Sequence, residues 1–409
     1  MKTTMLRIRL SATVISLLAP LAASADPGDG IGVGSWLLSP YIDINATYDS
    51  NVYKTRDNEI ADTFFEPEFG LRMSSSTETN LLTLRGNAFM SRREYSSESS
   101  QDFSSWGDNL SLQYGRPEHF TIEGIQSFRH VQDYDRHASD MESSGLSESM
   151  VQDIHTLSAE RNINQIGLGA TRRLTDKTEL TLGYRYCDVL YANDQFLDLD
   201  GQVGQIDAAY LMTDKTAAFL SLHGGIQNQE GTDGSATYAI ARLGATTRGS
   251  DKMAYNAGAG IEHYTRPVAS GNESFDTFNF NVTADWYVTE KVTLRCGGLN
   301  GTQLSSFYEG NGLNYVSGWA GAGYRWKPST ILSVRGIYRR DSYLDPVPDG
   351  NTTIDRADTR IEAHARIDYT APANFLKLYF EASLDIADSN INTADYVDKR
   401  IMVGAELLY

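Results

Sequence analysis

A strict two-residue alternation of apolar and polar side chains is the feature that most narrows what this chain can fold into. Leu376, Leu378, Phe380, Ala382, Leu384 and Ile386 alternate with Lys377, Tyr379, Glu381, Ser383 and Asp385. Successive side chains of a strand point to opposite faces, so such a run is a strand with one greasy and one polar side. The same pattern recurs in Leu82–Met90, Phe278–Trp286, Ile361–Tyr369 and the stretch YIDINATYDSNVY, Tyr41 to Tyr53. In that stretch Ile42, Ile44, Ala46 and Tyr48 oppose Asp43, Asn45, Thr47 and Asp49 before DSN breaks the pattern. A soluble sandwich also alternates, but its strands average about 5–6 residues. These runs reach the ~9–11 residues of a tilted membrane strand.

The connections alternate as well. Short turns such as TDK (Thr175–Lys177 and Thr213–Lys215), TEK (Thr289–Lys291) and KPST (Lys327–Thr330) are separated by longer polar loops such as Asp49–Ala61 and Asp345–Asp355. Turns at one end and loops at the other are the signature of an up-and-down barrel. The expected fold is all-β, a transmembrane antiparallel β-barrel of about 18 strands, within roughly 16–18. Its first strand begins near Ser39 and its last near Lys399. The polar parity then faces a water-filled lumen and the apolar parity faces outer-membrane lipid. Tyr41, Trp106, Tyr114, Trp286, Tyr287, Trp319, Tyr324, Trp326 and Tyr409 recur near strand ends and suit the membrane interface.

Before this region lie Lys2, Arg7 and Arg9, an apolar run from about Ala12 to Ala22 and an Ala23-Ser24-Ala25 cleavage pattern. Residues 1–25 therefore read as a secretory signal peptide, 26–38 as a periplasmic segment and 39–409 as the barrel. The formal net charge of −18 becomes −21 when those three basic residues leave. Such acidity excludes nucleic acid as a partner, since a basic footprint is needed. The 2 cysteines, Cys187 and Cys296, fall on separated strands of opposite facing and are expected to be free thiols.

The final run RIMVGAELLY places Ile401, Val403, Ala405, Leu407 and the terminal Tyr409 on one parity. It resembles the closing strand of outer-membrane barrels, which is read by the barrel assembly machinery, although the usual last residue is Phe. Leu407 and Tyr409 are the candidate assembly signal. The run SPYIDINATYDSNVYK, residues 39 to 54, resembles the opening of the putative β-barrel porin 2 family. Hairpin units such as LTDKTELTLGYRY (Leu174–Tyr186), VTEKVTLRCGG (Val288–Gly298) and KPSTILSVRGIYRRDSY (Lys327–Tyr343) are similar too. The resemblance implies a channel in the bacterial outer membrane. For some members it implies an association with exopolysaccharide export.

Chemistry is otherwise sparse. There is no G-x-S-x-G elbow, P-loop or G-x-G-x-x-G. His130, His137 and His155, in or beside the long connection Gln132–Ala159, have no zinc spacing and are read as loop-solvated. His223 and His364 are read as isolated wall residues. That acidic connection is expected to be either a lid or a surface loop. No cofactor, metal or catalytic residue is expected. The chain reads as a non-enzymatic channel for polar solutes, among them a small solute or a polysaccharide. The alternatives are a structural or partner-binding barrel with a closed lumen, and a barrel hydrolase. The expected pore-lining residues are Arg85, Arg185, Arg295, Arg335, Arg360, Glu362, Arg366, Asp368, Lys377, Glu381 and Asp385.

Overall fold

The computed structural model describes residues 30–76, 81–116, 118–132, 159–247, 252–268, 271–349, 352–372, 374–391 and 394–409. The expected signal peptide, residues 1–25, and most of the Gln132–Ala159 connection, with His137 and His155, lie outside the described residues. The chain order begins β1 (Ile31–Val33), β2 (Trp36–Asp49), β3 (Asp62–Ser76), β4 (Leu82–Tyr95), β5 (Phe103–Arg116), β6 (Phe120–Val131) and β7 (Arg161–Arg173). Next come β8 (Thr178–Tyr191), β9 (Leu199–Leu211), β10 (Thr216–Gln229), β11 (Ala236–Thr247), β12 (Met253–Val268), β13 (Gly271–Tyr287) and β14 (Val292–Leu304). The order ends with β15 (Gly312–Lys327), β16 (Thr330–Tyr343), β17 (Val347–Asp349), β18 (Thr352–Ile354), β19 (Ala357–Thr370), β20 (Leu376–Ser389) and β21 (Tyr396–Leu408).

All but β17 and β18 join one 19-stranded sheet. In it every long strand pairs antiparallel with its neighbours, and β2 closes the ring on β21. Setting aside the three-residue β1, which only forms a hairpin with β2, the wall has 18 long strands. The architecture is a closed antiparallel up-and-down barrel, as the alternation predicts. Closure leaves no sheet edge along the seam, where Ile42 lies opposite Leu407 and Asp49 opposite Arg400. The first barrel strand begins at Trp36, before the expected Ser39.

Burial is inverted relative to a soluble protein. On β2 the polar residues Asp43, Asn45, Thr47 and Asp49 are buried, Asn45 at 1 % exposure, while Ile42, Ile44 and Tyr48 are exposed. Elsewhere Leu243 is 69 % exposed on the same outward parity. An apolar mantle around a polar interior suits lipid outside and water inside. Among the described residues no helix is long and apolar enough to cross a membrane. Trp106, Tyr114, Trp286, Tyr287, Tyr324 and Trp326 are exposed, as expected of interface aromatics. Tyr41 and Trp319 depart from that expectation. Tyr41 is buried on the lumen parity and donates to Glu68 at 2.9 Å. The Trp319 ring lies under the Arg335 guanidinium at 5.6 Å.

Two tyrosines are held inward by glycine. Gly70 stands opposite Tyr41 and Gly404 opposite Tyr379, and a Cβ at either glycine would overlap the facing ring. The ring lies flat over the neighbouring strand, so its hydroxyl reaches a carboxylate: Tyr379 donates to Asp43 at 2.6 Å. The DSN that ends the first alternation is a turn device. Asp49 accepts from the Asn51 N–H at 3.0 Å. Buried Asn51 donates to the Thr55 and Val397 carbonyls at 2.7 and 3.1 Å. Together they fasten the first external loop to β21.

Candidate functional site: a charged lumen with an inward-folded strand

The strands flanking the seam carry a dense charged wall. On β19 the lumen parity reads Asp358, Arg360, Glu362, His364, Arg366 and Asp368. β20 adds Lys377, Glu381 and Asp385, and β21 adds Asp398, Arg400 and Glu406. β2, β3 and β4 contribute Asp43, Asp49, Glu66, Glu68, Arg72 and Arg93. Carboxylates outnumber fixed cations in this sector. The register explains the pairing, because Arg366 stands opposite Glu381 and Glu362 opposite Asp385. Arg360 donates two parallel hydrogen bonds of 2.8 Å to Asp385 and lies 3.2 Å from Glu362. Arg366 bridges Asp368 and Glu381, both at 3.0 Å, and stacks over the Tyr379 ring at 4.2 Å. Lys377 lies 3.3 Å from Asp368. The structure thus brings together the seven expected lining residues of β19 and β20.

The other four expected residues are dispersed. Exposed Arg85 lies opposite Ser74 and Ser111. Arg295 pairs with Asp285 at 3.4 Å. Arg335 stacks on Trp319, and buried Arg185 lines a separate recess on the far wall. Three histidine readings are corrected. His364 is not isolated: it bridges Glu381 and Glu362 at 3.2 and 3.4 Å. His130 is not loop-solvated: it sits on β6, buried, stacked on Trp106 at a centroid distance of 3.8 Å. His223 meets Ser221 at 2.6 Å. Residues unforeseen from sequence include Arg400, 3.1 Å from Asp49, and Lys54, whose loop reaches in to Asp385 at 3.5 Å. Cys187 is buried on β8 and Cys296 exposed on β14, and neither is in a disulfide, as expected.

The far wall holds the larger surprise. β13 and β14 pair only from Tyr287–Thr293 to Asn281–Leu299. Beyond Leu299, β14 leaves β13 and bends into the lumen, still paired with β15 as far as Leu304–Gly312. The Asn300 side chain bridges the parting, accepting from the Phe280 N–H and donating to the Phe278 carbonyl, both at 2.7 Å. The Thr302 N–H donates to Glu262 of β12 at 3.2 Å. The Leu304 N–H donates to Gln227 of β10 at 3.1 Å, and β10 lies beyond β11, β12 and β13. Leu304, 1 % exposed, packs on Leu199, Ala236 and Tyr264 against the inner wall. Gln229 continues the attachment, donating to the carbonyls of Ser305 and Tyr308 at 2.5 and 2.9 Å.

Two clusters hold this fold-in at the external mouth. Arg266 at the top of β12 donates to Asp345 and Glu273 and reaches the Gly310 carbonyl at 3.3 Å. Arg356 donates to the Tyr308 hydroxyl at 2.7 Å and lies over the rings of Phe307, Tyr308 and Tyr343 at 5.7, 5.6 and 5.1 Å. Behind the bent strand lies a small recess lined by Arg185, Gln227, Tyr238, Arg242, Glu262 and Asn279 among others. A comparable recess lies along the seam wall, lined by Arg93, Arg360, Glu362, His364 and Asp385 among others.

Ser221, His223 and Asp207 converge on β9 and β10, but not as a hydrolase centre. The Ser221 hydroxyl lies 2.5 Å from Asp207, and the His223 Nε2 that meets Ser221 is itself 3.8 Å from the same carboxylate oxygen. A nucleophile needs its proton directed to a base whose other nitrogen is held by the acid. Here the acid competes with the base for the serine proton. Among the described residues no cluster of metal-ligating side chains occurs.

No curated protein sequence matches the chain significantly. Among solved structures it is similar to Pseudomonas aeruginosa OpdQ, with 13 % identity and a TM-score of 0.47 over 92 % of this chain and 98 % of that one. It is also similar to P. aeruginosa OccK1 (OpdK), at 14 % and 0.45 over 91 % and 99 %, and to Acinetobacter baumannii OccAB4, at 10 % and 0.44 over 91 % and 98 %. The family model for putative beta-barrel porin 2 matches residues 26–409. That span takes in every strand described above, and the chain is a porin-like barrel of the bacterial outer membrane that belongs to the putative beta-barrel porin 2 family.

Proposed function

We propose that the barrel is a passive channel for small polar solutes, filtering them electrostatically and performing no covalent chemistry. The observation that carries this is the charged wall on β19 and β20, turned towards the lumen of a barrel whose outer mantle is apolar. The expected lining residues Arg360, Glu362, Arg366, Asp368, Lys377, Glu381 and Asp385 form cross-linked pairs of both signs along one sector. Such a wall orders water and polar solutes without repelling either sign outright, and its surplus of carboxylates favours cations. A polysaccharide is a narrower form of this reading. It rests on the same mixed-sign wall, which accommodates a neutral, hydroxyl-rich chain.

The inward fold of β14 and β15 favours a second reading, a structural barrel with a closed lumen. Reconstitution of the purified, heat-modifiable barrel into planar bilayers separates the two. Discrete conductance steps with a modest cation preference support the channel. A barrel that inserts and never conducts supports the closed form.

A further inference from the structure

We propose that the external part of β14, from Asn300 to Leu304, is a gate with two positions: folded into the lumen, as seen, or zipped onto the free edge of β13. The inference rests on the channel reading for its electrical consequence, but not for its structural one.

Among the described residues this stretch of β13 has a free edge. Residues Gly271–Phe280 of β13 pair with β12 on one side, and the β13–β14 ladder stops at Asn281. An unpaired edge in a barrel wall leaves backbone donors and acceptors that must find partners. Asn300 supplies two of them with its side chain, at Phe280 N–H and Phe278 C=O. Continuing the observed register would set Asn300 against Phe280 and Thr302 against Phe278.

The departing strand has a matching set of alternatives. The Thr302 and Leu304 N–H groups use the carboxylate of Glu262 and the amide oxygen of Gln227 as acceptors. Side chains thus stand in for backbone carbonyls of β13. The two positions exchange one set of hydrogen bonds for another, which keeps their free energies close. Parity supports the same path. Leu294 is exposed on the outer face, and Leu304 shares its parity, yet Leu304 is buried against the inner wall. A strand that bends inward presents its outer face to the inside of its neighbours. In the zipped position that face turns outward again. The burial of Leu304 and the Arg266 and Arg356 clusters bias the gate to the folded-in position.

The test places cysteines at Phe278 and Thr302 in a barrel carrying Cys187→Ala and Cys296→Ala. In intact outer membranes, a disulfide detected by gel mobility after mild oxidation reports the zipped position. In planar bilayers the oxidised barrel should show a raised unitary conductance that dithiothreitol returns to the starting level. An assembled barrel that forms no disulfide, or forms it with conductance unchanged, overturns the gate. Gln227→Leu, which removes the acceptor for the Leu304 N–H, decides the matter independently if the cysteine barrel fails to assemble. It should lengthen the high-conductance state, and wild-type dwell times would overturn the proposal. If no variant conducts, the channel reading fails, while the disulfide still reports whether the strand moves.

Discussion

Arg266 and Asp345 meet through two parallel hydrogen bonds of 2.5 and 2.8 Å, joining the top of β12 to the loop after β16. Asn311 reinforces the contact, exchanging hydrogen bonds of 3.1 Å with the Asp345 backbone in both directions. The pair straddles the segment that folds into the lumen, so it acts as a clasp on the external mouth. Bidentate geometry and an Arg266 side chain only 2 % exposed set it apart from an ordinary surface ion pair.

The clasp has a defined pH window. Hydrogen bonding and charge from Arg266 hold the Asp345 carboxyl below the usual carboxylate range. A depressed folded-state pKa means stabilisation that is fully present above the unfolded value of about 3.9 and is lost as pH falls through the lower folded value. Glu273 is the other carboxylate on Arg266. Protease nicking of the 345–356 loop should therefore stay constant from about pH 8 to 5 and rise only below about 4. Asp345→Asn should show the raised nicking already at neutral pH. Because Asp345 is 49 % exposed, solvent screening holds the loss to about 1 kcal/mol, the top of the surface-pair range, despite the bidentate geometry. Nicking that rises near pH 6 in the wild type would point to a histidine instead.

Facing is tested on β20. Phe380 lies on the outward parity, and Arg at a bilayer midplane costs about 2–4 kcal/mol, so Phe380→Arg should lower the unfolding free energy in lipid by that order. Glu381→Arg, one residue on, is not a neutral control. Glu381 accepts from Arg366 at 3.0 Å and lies 3.2 Å from His364, so an arginine there would set two guanidinium groups together and take a partner from His364. Lys377→Gln is the proper control and should assemble normally. Equal unfolding midpoints for the Phe380 and Lys377 variants would reverse the facing assignment.

How much of this was legible beforehand follows from range. The alternation on β2, β19, β20 and β21 is local, since each parity is read from residues two apart, and closure then places those parities inside and out. The β19–β20 wall was legible for the same reason, because adjacent strands joined by the short turn after Thr370 bring their parities into register. The bend at Asn300 was not. It depends on Glu262 and Gln227, which lie 40 and 77 positions from the N–H groups they receive. Nothing in NGTQLSSFYEG distinguishes an inward strand from a polar external loop. Tyr41 and Trp319 were misread because an aromatic near a strand end has no parity signal of its own when a facing glycine gives it room indoors.

The closing strand makes a further prediction. The Tyr409 N–H donates to the Pro40 carbonyl at 3.1 Å, and Leu407 stands opposite Ile42 across the seam. We propose that Tyr409 and Leu407 form the signal read by the barrel assembly machinery. Deleting Tyr409 should leave monomer that stays unfolded in the periplasm and shows no heat-modifiable band. A Tyr409→Phe barrel should assemble as well as the wild type, because the hydroxyl is not needed for an aromatic terminus. Normal assembly of the deletion would confine Tyr409 to a seam hydrogen bond.

The charged wall separates residues that hold the barrel from residues that tune it. Arg360 is buried and satisfied by Asp385 and Glu362, so Arg360→Gln leaves two carboxylates close together without their cation. Removing one partner of a buried pair costs about 3–5 kcal/mol, and this variant should lose assembly or thermal stability before any change of selectivity can be read. Arg366 and Lys377 are 28 % and 33 % exposed on their side chains, and each faces carboxylates that lumen water also solvates. Neutralising both, as Arg366→Gln with Lys377→Gln, removes two positive charges from a sector already rich in acid. The reversal potential across a salt gradient should shift towards stronger cation preference, and the shift should shrink as salt is raised, because the Debye length falls from about 10 Å at 0.1 M to about 3 Å at 1 M. A conducting double variant with an unmoved reversal potential would place the selectivity-limiting part of the pore elsewhere, with the recess behind the bent β14 strand the next place to look.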